Sequence, residues 1–239
     1  MTDKEFNLLD ESWVRVITPE CEIKEISLTD AIVNSHKYSG LCGELPTQDV
    51  AVMRLLLAVL HTVFSRVNED GEPAPLEDPD EALERWKAIW DMGHIPEKPV
   101  WEYLESQHEK FWLFHPERPF FQVPEANIGT EYGAAKLNGE LSESSNKLRL
   151  FTTYSVEKKN KLPYSEAARW LLYVNAYDDT SAKPKGKNLP SPGAGWLGKL
   201  GLITAKGNSL FETLMLNFVM LKDGNELWGE EKPAWELEK

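Results

Sequence analysis

The stretch PTQDVAVMRLLLAVLHTVFSRV, residues 46–67, places Val50, Met53, Leu56, Leu57, Leu60 and Phe64 at helical spacing. Leu55, Val59 and Val63 widen that stripe until little of the circumference is polar, so the pattern predicts a helix mostly buried in the interior. His61 lies within this run and reads as a core or half-buried histidine, not as a ligand.

On the N-terminal side, Trp13 to Thr18 and Glu22 to Ile26 alternate apolar with polar residues around Pro19, which predicts a β-hairpin with one buried face. Ser27 with Asp30 three residues on marks the start of a short helix that should end near Gly40. On the C-terminal side, Asp78 before Pro79, with Gly93 following Trp90, brackets a helix, and a further helical stretch covers Val100 to Phe111. The aromatic residues Trp86, Trp90, Trp101, Trp112, Phe114, Phe120 and Phe121 sit on these elements and read as core. Residues 124–145 lack periodicity and read as an irregular surface segment. Ala167, Trp170, Leu171 and Val174 define an amphipathic helix between Pro163 and Asn175, with a lysine-bearing loop on either side. A last helix starts at Ser209 with Glu212 as capping box, runs through Leu214, Phe218 and Leu221, and stops at Gly224. The fold class expected is α+β: a mainly helical globular domain with a small N-terminal β-hairpin and irregular loops.

Composition agrees with a globular chain of 239 residues: 41% are hydrophobic and 27% charged, with 15 glycines and 15 prolines, which sets aside collagen, coiled coil and disorder. No stretch reaches the ~20 apolar residues of a membrane span, and MTDKEFNLLDE lacks the order of a signal peptide. A cytoplasmic protein with no membrane partner is therefore expected. Cys21 and Cys42 are too few for a disulfide framework and read as free buried thiols.

Charge is unevenly spread. The whole chain carries -13, yet residues 147–206 hold 11 basic and four acidic residues, a net +7, leaving 15 basic and 35 acidic residues elsewhere, a net -20. Taken singly, each charge run reads as a solvated lysine-rich loop. The aromatic and glycine-rich elements inside this quarter shift the reading toward a localised anionic partner.

Motifs for metalloprotease, phosphate-loop, dinucleotide or serine-hydrolase chemistry are missing from the sequence. The adjacent carboxylates Asp178 and Asp179 leave one alternative open, a metal-dependent nuclease or hydrolase, although such a pair also fits a solvated turn. SPGAGWLGKLG, residues 191–201, has four glycines and Ala194 beside Trp196 and Lys199. Its backbone can approach a ligand without Cβ obstruction, which suits the minor groove, where base edges carry a degenerate code. Taken by itself it reads as a glycine-rich hairpin or bulge. KLRLFTTYSVEKKNK, residues 147–161, interleaves Phe151 and Tyr154 with five cations, as expected where aromatic faces stack on unpaired bases while lysines follow phosphates.

NLLDESWV (residues 7–14), RLLLAVLH (54–61), HPERPFFQV (115–123) and SPGAGWLGKLG, in that order across nearly the whole chain, resemble the N-terminal domain of the CasA family, the large subunit of the type I-E CRISPR surveillance complex Cascade. The resemblance implies a non-catalytic subunit without cofactor or metal. Its implied work is to recognise the protospacer-adjacent motif of foreign double-stranded DNA from the minor groove, contact the guide RNA 5′ handle, aid duplex opening and dock a recruited nuclease-helicase beside the other Cascade subunits. Base pairing with the guide then reads the long sequence and protein reads a short adjacent motif. The family's motif-reading loop maps onto Pro192, Gly193, Ala194, Gly195 and Trp196. Its aromatic and basic loop maps onto Phe151, Thr152, Lys158, Lys159 and Lys161, and Lys183, Lys185, Lys187 and Lys199 supply phosphate contacts. Ala194 departs from a loop usually richer in glycine. Family members also continue into a C-terminal helical bundle that carries a further motif-reading lysine and a wedging glutamine. Residues 1–239 thus read as one domain without that bundle, with 226–239 as a linker.

Overall fold

The structure, a computed structural model, describes residues 3–123, 133–138, 161–177, 195, 197, 202–228 and 232–237. Strand β1 (Glu5–Asn7) leads to the predicted hairpin of β2 (Val14–Ile17) and β3 (Ile23–Ile26), paired antiparallel with Val14 opposite Ile26 and Ile17 opposite Ile23. Val14 and Val16 are fully buried, whereas Ile23 is half exposed, so the apolar face of the hairpin comes mainly from β2, with Ile26 of β3 packed beside it. Cys21 occupies the hairpin turn at φ 63° and is exposed, and Cys42 is half-buried. Both thiols are free, but the expectation that they are buried fails at Cys21, whose turn faces solvent, and holds only in part at Cys42.

Ser27 caps helix α1 (Leu28–Val33) by accepting from the Asp30 amide at 3.2 Å. This helix ends well short of Gly40. The Tyr38 hydroxyl donates to Asp30 at 2.6 Å and folds the chain back on the first turn, and Gly40 instead opens β4 (Gly40–Leu41), which pairs with the other edge of β2.

Helix α2 (Pro46–Phe64) runs through the middle of the molecule and buries Val52, Leu55, Leu56, Val59, Leu60, Val63 and Phe64. At 19 residues and a mean hydropathy of 1.3 it is, contrary to expectation, long and apolar enough to cross a membrane, but 61% of its apolar window is buried within the fold, as befits a core helix. Helix α3 (Pro79–Met92) begins and ends as predicted: Asp78 accepts from the Glu81 amide at 2.9 Å, Pro79 starts the first turn, and Gly93 closes it at φ 71°.

Helix α4 (Glu97–Ser106) starts three residues before the predicted Val100 and stops before Phe111, whose neighbours Trp112–Phe114 form β5, antiparallel to β1. The buried face of α4 is Pro99, Val100 and Leu104. Trp101, one position round the helix, is 52% exposed and Phe121 is 37% exposed, so neither belongs to the core that buries Phe120 and has Trp86, Trp90 and Phe114 packed against it.

Beyond the short α5 (Ala134–Leu137), α6 (Tyr164–Tyr177) packs on α2 through Ala168, Leu172 and Ala176. Helix α7 (Leu210–Asn217) has the predicted cap, Ser209 accepting from the Glu212 amide at 3.1 Å while Glu212 accepts from the Asn208 amide at 2.7 Å. It ends before Phe218. Gly224 (φ 76°) follows Asp223 (φ 51°) in a tight turn between β6 (Leu221–Lys222) and β7 (Glu226–Leu227), so it is a hairpin residue and not a helix stop.

In the stretch 226–239, read as a linker from the sequence, Trp228 and Leu237 are exposed, whereas Trp235 and Glu236 make contacts with the body of the fold. Trp235 is buried against Phe111 and donates its indole N–H to the Tyr103 hydroxyl at 2.8 Å. Glu236 receives both guanidinium nitrogens of Arg66 at 2.8 Å.

Candidate nucleic-acid interface

Helix α6 links the two segments singled out in the sequence, one leading into each of its ends. Lys161 is exposed three residues before its first turn, and Gly195 and Leu197 lie against its last. Fourteen residues at 1.5 Å each separate those attachment points by about 20 Å. Phe151, Thr152, Lys158, Lys159, Lys183, Lys185, Lys187, Pro192, Gly193, Ala194, Trp196 and Lys199 lie outside the described residues, as do Asp178 and Asp179.

At Gly195 the missing side chain has a definite use. A Cβ there would fall 2.5 Å from the Ala176 carbonyl oxygen and 2.7 Å from the Tyr177 amide nitrogen, so only glycine lets the strip lie this close to the helix backbone. Two residues on, the Leu197 amide donates to that same carbonyl at 2.9 Å, satisfying an acceptor the helix end would leave open, and the Leu197 side chain is buried. Gly195 and Leu197, in the middle of the segment 191–201, are therefore fastened to α6.

One cation of the basic quarter is not available to any partner. Arg169 is 3% exposed and donates to Glu44 at 2.6 Å, to Glu25 at 2.9 Å and to the Trp13 carbonyl at 2.6 Å. Arg15 also donates to Glu44, at 3.2 Å. Burial pushes the Glu44 carboxyl up, but the bonds and charge of Arg169 outweigh it and leave it below its ordinary range, while the same carboxylates raise the guanidinium against its own burial. The cluster ties α6 to the β2–β3 hairpin and to the loop entering α2. Removing Arg169 from the count leaves ten basic and four acidic residues, a net +6.

A cation that sequence reading passed over stands near the far end of α6. Arg54, inside the apolar run of α2, is lowered to about 10 by burial and interacts electrostatically with Tyr177, so it stays charged at neutral pH. No periodicity signal distinguishes it, because it interrupts a hydrophobic stripe by a single residue.

The family model for CRISPR-associated protein Cse1 matches residues 7–239. The chain belongs to the Cse1 family. The Thermus thermophilus protein called CRISPR-associated protein CasA/Cse1 is 30% identical over 237 residues, which is 98% of this chain and 42% of that relative. The structure of Cse1 from Acidimicrobium ferrooxidans, 28% identical, has a TM-score of 0.73 and is matched over 100% of this chain and 43% of its own. A chain of a CRISPR RNA-guided surveillance complex shares the fold at a TM-score of 0.74 and 19% identity, over 99% of this chain and 47% of that one. This chain thus spans less than half the length of these relatives.

The Cse1 match extends to residue 239, so the Arg66–Glu236 clasp lies within the family region. Beside that clasp, a cavity of about 620 Å³ is lined by His61, Ser65, Leu76, Met220, Trp228 and Lys232 among others. His61 stacks edge-on against Phe218 at 4.7 Å, and burial lowers it to about 4, so it is neutral near pH 7, in keeping with the half-buried histidine expected. Among the described residues no group of three or more histidines, cysteines and carboxylates is gathered as a metal site would require.

Proposed function

We propose that this Cse1-family chain works in the cytoplasm as a non-catalytic, DNA-recognising part of a type I-E CRISPR surveillance complex. In this reading the segments at the two ends of α6 face foreign duplex DNA beside the region paired to guide RNA. The match to the Cse1 family over residues 7–239 carries the assignment to CRISPR defence. Partnership with guide RNA and other complex subunits is supported by the shared fold of a chain in a CRISPR RNA-guided surveillance complex. The net positive quarter in an otherwise acidic chain supports phosphate binding there. Attachment points about 20 Å apart correspond to about six base pairs at 3.4 Å each, enough for one segment to follow phosphates while the other reads a short adjacent motif.

The roles follow from residue chemistry. Lys158, Lys159, Lys161, Lys183, Lys185, Lys187 and Lys199 supply sequence-independent affinity. Pro192, Gly193, Ala194, Gly195 and Trp196 form the loop that meets the groove, with Gly195 also its anchor on α6, and Phe151 and Thr152 meet the guide handle. Opening of the duplex and docking of a nuclease-helicase then follow recognition.

The test is duplex binding by the chain assembled with guide RNA and the remaining subunits, with and without the adjacent motif. Each lysine that contacts phosphate should lower the slope of log K against log salt by ~0.9 when removed. Gly193→Val should weaken motif-bearing duplex more than random duplex. Unchanged slopes together with equal losses on both duplexes would overturn the reading. Magnesium-dependent cleavage by the chain alone, lost in Asp178→Asn, would replace it with the hydrolase alternative.

A further inference from the structure

Helix α6 rests on α2 through Ala168, Leu172 and Ala176, a mostly small apolar face. Contacts of that kind are non-directional and oppose sliding or rotation only weakly. The directional bonds come from the next residue round the helix. Arg169 is 3% exposed and donates to Glu44 through Nε at 3.0 Å and Nη2 at 2.6 Å, while its Nη1 reaches Glu25 at 2.9 Å and the Trp13 carbonyl at 2.6 Å. A planar fork satisfied on both sides admits one placement of the helix that carries it.

The acceptors are themselves fixed. The Glu44 amide donates to Gln48 at 3.0 Å and the Gly43 amide to Asp49 at 2.6 Å, which locks this loop onto the first turn of α2. A Cβ at position 43 would fall 2.4 Å from Gln48 Oε1, so the loop lies as close as glycine permits. Burying such charges costs desolvation that well-packed apolar side chains of similar volume avoid, so the network is a poor way to gain stability and a good way to define register.

We infer that Arg169 is a positioning residue for DNA recognition, a role that rests on reading the segments at the two ends of α6 as a nucleic-acid interface. Its fork sets the axial and rotational register of α6. Lys161 leads into the first turn, and Gly195 and Leu197 lie against the last, so a displaced helix carries both attachment points with it. Lysines on flexible stems follow a small displacement and keep their phosphates, whereas a main chain that reads a groove does not.

The experiment assembles the chain with guide RNA and the remaining subunits and measures binding of duplexes with and without the adjacent motif, beside the urea midpoint of each chain. Arg169→Met combined with Glu44→Gln removes one charge of each sign and strands neither, so the midpoint should be kept. Preference for the motif-bearing duplex should fall at least about tenfold while affinity for random duplex stays within about twofold. Glu25→Gln spares the buried pair, because the Glu25 side chain is 38% exposed, and should lower the preference about threefold in a fully folded chain. Full preference in both variants would overturn the proposal, as would equal losses on the two duplexes. An unsubstituted complex without any preference would overturn the reading of the interface and the role of Arg169 with it, which separates that failure from the other two.

Discussion

The two ends of α2 are each held by an arginine that forks onto a distant carboxylate, yet one junction is sealed and the other is open. At the N-terminal end Arg169 is 3% exposed and every contact it makes crosses between elements, to Glu44, Glu25 and Trp13. At the C-terminal end the Arg66 side chain is 41% exposed, and its bond to Glu236 borders a cavity containing a neutral histidine. A buried pair is costly to break because the abandoned charge stays desolvated, whereas an exposed arginine returns to water. The first junction thus holds α6 rigidly in place, and the second closes a stretch that can yield.

Arg169→Ala is the sharpest way to break this contrast. It should cost about 3–5 kcal/mol by leaving Glu44 buried beside a vacated partner, measured by urea unfolding, and a loss under ~1 kcal/mol would remove the distinction between the two ends. Gly195→Ala should cost about 1–3 kcal/mol, because its Cβ must displace the α6 backbone, and amide exchange at the last turn of α6 should rise with it.

At the open end, pH is the probe. The folded value of His61, about 4, lies below the unfolded value of about 6.5, so the unfolded chain takes up a proton first as pH falls. Stability is then complete above pH 6.5 and should decline by about 1.5 kcal/mol between pH 6.5 and 5, a slope that His61→Leu should abolish. Glu236→Gln should cost about 1 kcal/mol at neutral pH. The bonds from Arg66 hold that carboxyl below its ordinary range, so its contribution is present above about pH 4.3 and fades on further acidification. An effect of Glu236→Gln equal to that of Arg169→Ala would show that exposure does not grade the two clasps.

Where the sequence spoke locally it spoke well. Asp78, Pro79 and Gly93 delimit α3 because each acts on backbone groups within a few residues, and the alternation on β2 needs only its own four positions. Gly224 misled because a glycine that ends a helix and one that turns a hairpin look alike, and the two-residue strands on either side are too short to show a period. Strands β1 and β5 were illegible for another reason: Glu5 meets Phe114 across more than a hundred positions, and neither three-residue segment alternates for long enough. At the candidate interface the excess of cations was countable, but that Arg169 is withdrawn from it depends on Glu25 and Glu44, far away in the chain. The family resemblance read from four short motifs was correct, since their order survives where each motif alone is ambiguous.

Leu197 lends its amide to the final carbonyls of α6, so the helix and the strip share one bond. Any ligand that lifts Leu197 away leaves that carbonyl to water, and any ligand that leaves Leu197 in place finds the helix end already capped. Occupancy at the loop and capping of the helix tip are in that sense coupled, observable from either side.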